Sequence, residues 1–253
     1  MENTISLITY TNSVMKDAWP IYFSQIDRHM PGMKSFVFSD ISSSDFAGHT
    51  FLEYDNKDPY FKQYLDCLSQ VKEDFVIYMQ EDFFLYEDVD LEKIKSYVEF
   101  LRKNDEYSYV RLIRCGYVED TRGASDIDNH IESDLYEVDI DSTDSFSMQP
   151  TLWRKDRLVE LYDHVKSVKW FEAQHWFDGC KELSTKGVMT YNGEEKRGRY
   201  HYDSSVFPYT CTGITKGRWN MEAYSDFLSE MFKKHDIDPY ERGMRLSRNY
   251  YTK

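Results

Sequence analysis

The sequence has no excess of basic residues: 31 Lys and Arg stand against 45 Asp and Glu, a formal net charge of −14 at pH 7. Nucleic acid as a partner requires a basic face to neutralise phosphates, and anionic membrane surfaces attract polybasic segments, so neither partner is expected. A small anionic ligand stays open, because a few local cations or one divalent metal can overturn the global sign. Cysteine is scarce and scattered, at Cys67, Cys115, Cys180 and Cys211, and without any Cys-x-x-Cys the common zinc and thiol-redox signatures are excluded. No run reaches the ~20 apolar residues of a membrane-spanning helix. The start, "MENTISLITYTNS", has an acid at position 2 and only a brief apolar stretch, unlike a secretory leader. The default expectation is a reducing, cytoplasmic setting with no transmembrane segment.

Glycine-rich phosphate loops and the common hydrolase signatures are missing too. No G-x-G-x-x-G follows the first strand, and G-x-x-x-x-G-K-[ST], H-E-x-x-H and G-x-S-x-G do not occur. Rossmann dehydrogenases, P-loop NTPases, zincins and α/β-hydrolases are therefore disfavoured. Residues 119–144 hold ten Asp or Glu and one Arg. A calcium loop starting at Asp139 fails there, since Asp144 and Pro150 stand where such a loop needs Gly and Glu. A solvated, acidic loop region is expected instead.

What is present is a chain of 253 residues with 41% hydrophobic content, enough to bury a full core in one domain. Aromatics are abundant, with 21 Tyr, 16 Phe and 5 Trp. Most should be core, although Tyr and Trp also line sugar and base sites, where a flat face stacks and a polar tip hydrogen-bonds.

The first 116 residues alternate strand and helix. "TISLITYTNS", "KSFVFSD", "HTFLEYDN", "FVIYM" and "YSYVRLIRCG" read as strands. "MKDAWPIYFSQIDRHMP", "DPYFKQYLDCLSQVKED" and "DLEKIKSYVEFLRKND" have helical apolar spacing, the last with Asp90 as its N-cap. This predicts an α/β domain with a mostly parallel central sheet flanked by helices. Ligands of such sheets bind beyond the carboxyl ends of the strands. Tyr10-Thr11, Ser39-Asp40 and Gln80-Glu81-Asp82 would line that edge. Beyond the acidic region, the spacing predicts a strand around Phe146 to Trp153 and a helix from Lys155. A second helix should end at Gly187, followed by a hairpin across "VMTYNGEEKRGRYHYDSS" and a last helix across "NMEAYSDFLSEMFKKHDID".

The acids of "VIYMQEDFFL" follow a strand-like run directly. Unpaired carboxylates are expensive to bury, so they mark either a solvated strand end or a cation site. Alternation places Gln80 and Asp82 on one strand face and Glu81 on the other. Hard divalent ions take one or two carboxylates plus phosphate and water oxygens.

Together with "SMQPTLWRKDRL", "KWFEAQHW" and "YTCTGITKGRW", that segment resembles the GT-A-fold glycosyltransferases, in particular microbial and large-virus nucleotide-sugar-dependent sugar transferases. The motifs span roughly residues 5 to 219 in the family's order. The resemblance implies a Rossmann-like, GT-A-like single domain over 1–253, with 1–116 the nucleotide-binding half and 117–253 the acceptor-binding half. It implies a nucleotide-sugar donor, a glycan or glycoconjugate acceptor and polysaccharide biosynthesis. Mn²⁺ or Mg²⁺ would be held by Asp82 and His201. Thr9, Tyr10, Thr11, Asp40, Gln80, Glu81, Lys216 and Arg218 would bind the donor, the last two neutralising its diphosphate. Gln149, Trp153, Trp170 and Trp176 would bind the acceptor. Glu172 would be the carboxylate base of an inverting transfer, with Asp178 as its rival. The family's usual Asp-x-Asp is replaced by Gln80-Glu81-Asp82, which leaves metal use open. A catalytically degenerate glycan-binding module and a metal-dependent nucleotidyltransferase are the alternative readings.

Overall fold

The structure, a computed structural model, describes residues 5–114, 127–142, 145–169, 173–197 and 201–246. The first half follows the alternation read from the sequence. β1 (Ile5–Tyr10) leads through a short 3-10 turn at Ser13–Met15 into α1 (Trp19–His29). Pro20 sits in the first turn of α1, where its missing N–H leaves no bond unmade. There follow β2 (Ser35–Ser39), β3 (Thr50–Glu53), α2 (Tyr60–Leu68) and β4 (Phe75–Gln80). α3 (Leu91–Lys103) is capped by Asp90, which accepts from the Lys93 N–H at 2.9 Å, and β5 (Tyr107–Arg111) closes this half.

The second half departs from expectation in two places. The acidic stretch is more than a loop: it contains β6 (His130–Glu132) and β7 (Leu135–Val138), which join the main sheet. β8 (Thr151–Arg154), α4 (Lys155–Val165) and α5 (Ala173–Glu182) come next. α5 stops short of Gly187, which instead lies in β9 (Lys186–Thr190). A Cβ on Gly187 would fall 2.0 Å from Tyr109 Cζ, so this glycine permits a close approach within the sheet rather than ending a helix. Two small hairpins, β10 (Lys196–Arg197) with β11 (His201–Tyr202) and β12 (Ile214–Thr215) with β13 (Arg218–Trp219), precede α6 (Met221–His235) and α7 (Pro239–Arg242).

Among the described residues, nine strands form one sheet in the order β3-β2-β1-β4-β8-β5-β9-β7-β6. β3, β2, β1, β4, β5 and β9 run in one direction, while β8 and β7 run against them. The central strands are buried on both faces because side chains alternate between two cores. Leu7, Ile77 and Met79 join α1, α3 and α6 in one core, whereas Ile8, Val76 and Tyr78 join α2, α4 and α5 in the other. Among the described residues no helix is long and apolar enough to cross a membrane.

Candidate functional site

The carboxyl ends of β1, β2 and β3 open onto a cleft of about 510 Å³ lined by Tyr10, Ser13, Asp40, Tyr54, Asn56 and Gln63, among others. Tyr10 ends β1 and stacks on Tyr54, with ring centroids 5.2 Å apart and planes 3° from parallel. Its hydroxyl donates to Gln63 Oε1 at 2.6 Å, and the Tyr54 hydroxyl donates to the Thr11 carbonyl at 2.7 Å. The pair forms a rigid aromatic wall. Asp40, one residue beyond β2, accepts from the Ser13 N–H (2.6 Å), the Ser13 hydroxyl (2.7 Å) and the Asn56 amide (2.7 Å). Partial burial opposes its ionisation, but these hydrogen bonds outweigh it and hold the carboxyl below its ordinary pKa.

β4 ends at Gln80, and Glu81-Asp82 form a turn closed by the Phe83 N–H on the Gln80 carbonyl at 3.2 Å. Strand alternation therefore stops before the acids, contrary to the face assignment expected for Gln80 and Asp82. Both acids are only 8% exposed. Burial raises both pKa values, and the Asp82 charge raises that of Glu81 further. The Ile214 N–H dipole and the pull of Arg242 partly offset the burial of Asp82. The Arg242 guanidinium itself is engaged by Asp17, with Nε donating to Oδ2 at 2.7 Å.

The late segment is folded back onto these acids. The Gly213 N–H donates to the Asp82 carbonyl at 2.8 Å and the Thr210 N–H to the Phe84 carbonyl at 2.8 Å; Leu85 bridges to Tyr209. Lys216 and Gly217, both with positive φ, form the two-residue tip of the β12–β13 hairpin, and Arg218 follows as the first residue of β13. The Lys216 and Arg218 side chains are exposed. The hairpin that carries them is thus tied by its backbone to the Asp82 carbonyl. Gln149, just ahead of β8, accepts from the Tyr209 hydroxyl at 2.5 Å, and Tyr209 packs against Phe83 with centroids 5.4 Å apart. Gln149 therefore belongs to the same edge.

Other expected site residues lie elsewhere. Thr9 and Thr11 are buried: the Thr9 hydroxyl is bonded to that of Tyr22 at 2.6 Å, and Thr11 Oγ1 accepts from the Trp19 indole at 3.0 Å. Of this trio only Tyr10 reaches the cleft. Trp153 and Trp176 are core residues with no face for a sugar. Trp153 packs on Tyr109 (4.5 Å), and Trp176 stacks on Phe146 (4.6 Å) beside Tyr162. Asp178 lies on the exposed side of α5 and accepts from Gln174 Nε2 at 2.7 Å. Trp170 and Glu172 lie outside the described residues, as does the His201 side chain. Residues 167–169 approach the cleft just ahead of them: the carbonyls of Ser167 and Val168 accept from the first N–H groups of α2, both at 3.0 Å, and Val168 lines the cleft.

Sequence reasoning missed Ser13, Tyr54, Asn56 and Gln63 in the cleft and Arg242 behind the acids. Tyr54 carried a usable signal, since it follows β3 directly and so obeys the same strand-end rule that selected Tyr10 and Asp40.

Among the described residues no group of three or more His, Cys, Asp and Glu side chains is placed to hold a metal ion. Two buried neighbouring carboxylates, with the Arg242 guanidinium committed to Asp17, nonetheless form a donor set suited to a hard divalent ion whose shell is completed by phosphate and water oxygens. The residues fit such an ion in that restricted sense.

No family model matches the sequence, and no curated protein matches it. Among solved structures the chain is similar to the galactosyltransferase LgtC in complex with donor and acceptor sugar analogs, with a TM-score of 0.53 and 11% identity over 93% of this chain and 98% of that one. It is also similar to S. aureus TarS 1–349, with a TM-score of 0.47 and 12% identity over 94% of this chain and 68% of that one. A third is a 4-diphosphocytidyl-2C-methyl-D-erythritol synthase from Anaerococcus prevotii, with a TM-score of 0.44 and 13% identity over 75% of this chain and 88% of that one. The LgtC likeness is one of fold and runs nearly end to end in both chains. The fold is GT-A-like.

Proposed function

We propose that this chain is a glycosyltransferase that moves a sugar from a nucleotide-sugar donor to a hydroxyl of a glycan, polysaccharide or glycoconjugate. The observation that carries the reading is one juxtaposition: the Tyr10–Asp40–Tyr54 cleft and the buried Glu81-Asp82 pair lie on neighbouring strand ends of a GT-A-like sheet. The cleft takes the nucleoside, with Tyr10 and Tyr54 as its aromatic wall and Asp40 and Asn56 offering polar atoms to base and ribose. Lys216 and Arg218 meet the diphosphate from the hairpin rooted on Asp82. Cations here act on the leaving nucleoside diphosphate, where negative charge develops in the transition state.

Asp82, helped by Glu81, would hold Mn²⁺ or Mg²⁺, which as a Lewis acid would stabilise charge on the phosphate oxygens. The remaining chemistry belongs to side chains. A carboxylate removes the acceptor hydroxyl's proton as that oxygen attacks the anomeric carbon and the nucleoside diphosphate departs. Glu172 is the assigned base, on the likeness of "KWFEAQHW" to the acid-bearing aromatic segment of the resembling transferases. Asp178, on the exposed side of α5, is the weaker candidate.

The test is a panel of nucleotide sugars with Mn²⁺, read as donor hydrolysis and as a rise in Tm. Asp82→Asn should abolish metal-dependent hydrolysis, and a fully active variant would refute its assignment as ligand. Glu172→Gln should keep donor binding and lose transfer. A second reading, a glycan-binding module without turnover, is favoured by Gln80, whose amide donates to the Tyr78 hydroxyl at 3.0 Å instead of supplying an acid. A folded sample with no hydrolysis and no Tm response to any common donor would select it.

A further inference from the structure

The carboxyl ends of β5 and β9 carry a second constellation that the donor cleft does not use. Arg114, three residues beyond β5, places its guanidinium 4.7 Å from the ring centroid of Tyr191 and 4.4 Å from that of Tyr202. Tyr191 directly follows β9, and Tyr202 belongs to β11, whose N–H donates to the Arg114 carbonyl at 3.1 Å. The two rings meet edge to face at 5.4 Å, and Tyr136 of β7 extends the row at 6.3 Å from Tyr191. Tyr136 and Tyr202 lie in two separate strands, Tyr191 directly follows a third, and all three remain partly exposed. Tyr191 and Tyr202 are oriented by the guanidinium and by one another, while Tyr136 packs against the second core.

The rim is polar. The Glu194 carboxylate accepts from the Ser205 hydroxyl at 2.6 Å and from the Asn192 N–H at 2.6 Å, and the Asn192 amide approaches Ser205 Oγ at 3.3 Å. Flat aromatic faces framed by carboxylate, amide and hydroxyl groups suit a neutral sugar, whose C–H face stacks and whose hydroxyls hydrogen-bond. The carboxylates of Glu194 and Asp203 beside the row, on a chain of net charge −14, disfavour phosphorylated or acidic sugars.

Position supplies the rest of the argument. β9 and β4 are separated in the sheet by β8 and β5. At ~4.8 Å per strand, Tyr191 lies about 14 Å along the edge from the Glu81-Asp82 turn, a length on the order of three linked pyranoses. We propose that Tyr191, Tyr202 and Arg114 form a remote acceptor subsite for a neutral, linear oligosaccharide whose end reaches the acids of β4. The proposal rests on the transferase reading above and names the acceptor class of that same site.

The test measures binding of linear neutral oligosaccharides of one to six residues (gluco, manno, galacto and N-acetylglucosamine series) to the full chain by calorimetry and ligand-observed NMR. In at least one series affinity should rise roughly tenfold between the disaccharide and the tetrasaccharide. Tyr191→Ala and, independently, Tyr202→Ala should weaken the longer ligands roughly five- to tenfold, the size of one aromatic contact, and leave the length dependence flat. Tyr191→Phe, which keeps the ring, should retain it. No series binding more tightly with length, or Tyr191→Ala binding the hexasaccharide as the unaltered protein does, would overturn the proposal. The two readings separate on the unaltered protein. Donor hydrolysis without any length dependence removes this subsite alone, whereas length-dependent binding without any donor response removes the transferase reading and leaves the glycan subsite standing.

Discussion

Replacing Gly213 by Ala tests whether the cationic hairpin is rooted on the acids. An added Cβ would stand 2.4 Å from Phe84 Cε2, 2.8 Å from Phe84 Cδ2 and 2.9 Å from the Asp82 carbonyl oxygen. Neither neighbour can yield easily. Phe84 is fully buried between Trp219 (6.4 Å) and Phe227 (6.1 Å), and the carbonyl belongs to the backbone of the turn itself. Overpacking of this kind costs about 1–3 kcal/mol. Relief by moving the hairpin would break the Gly213 N–H bond to the Asp82 carbonyl, worth about 1 kcal/mol, and draw the Ile214 N–H away from its carboxylate. A loss of about 1–3 kcal/mol lowers Tm by roughly 5 °C in a chain of this size. Nucleoside-diphosphate affinity, followed by calorimetry with Mn²⁺, should fall as Lys216 and Arg218 lose their register on Asp82. The control is Gly217→Ala: that position has φ +74° and no neighbour within 4 Å, so it should lose only about 1 kcal/mol of backbone strain. A Gly213→Ala protein with unchanged Tm and nucleotide affinity would refute the hairpin's anchorage.

Asp134 should shape the acid limb of stability. Burial opposes its ionisation, but bonds from Lys93, Tyr97 and Thr190 outweigh it and bring its pKa down to about 2. Since the folded-state value lies below the unfolded one, the stabilisation is present above pH ~4 and is lost as pH falls toward 2, an effect of about 2 kcal/mol. Asp134→Asn should lower Tm at pH 7 and flatten its decline between pH 4 and 2, and an unchanged acid limb in that variant would contradict the network. Trp176→Ala should lower stability by about 3–5 kcal/mol through lost packing on Phe146 and Tyr162. Unchanged stability with weakened acceptor binding would instead return Trp176 to the sugar site.

The strand ends were legible because burial on both faces leaves a strong mark. Apolar runs such as Phe75-Val76-Ile77-Tyr78-Met79 have few alternative folds, and the polar letters that stop them fall on one edge. Tyr10, Asp40 and Gln80-Glu81-Asp82 were selected by this rule, and they stand at the ends of the neighbouring strands β1, β2 and β4. β6 and β7 were not legible, and β9 was read only as the opening of a hairpin. β6 is exposed along its length, carries charge and pairs only with the adjacent β7, while β9 opens on Lys186-Gly187 and takes its partners, β5 and β7, from parts of the chain distant in sequence. The tryptophans misled for a related reason. Trp153 and Trp176 have the composition of a sugar platform, but the orientation that buries both rings appears only when β8 and α5 are packed.

The sequence by itself determined the α/β class, the missing phosphate loops and the acids at the end of β4, because periodicity and strand-end chemistry are local properties. Tertiary structure decided which residues share the site. It brought Ile214 and Arg242 to Asp82 across more than a hundred residues, set Tyr54 against Tyr10, and buried Thr9, Thr11, Trp153 and Trp176. Those outcomes depend on which faces meet when helices and hairpins fold back on the sheet, and chain-local spacing carries no record of that choice.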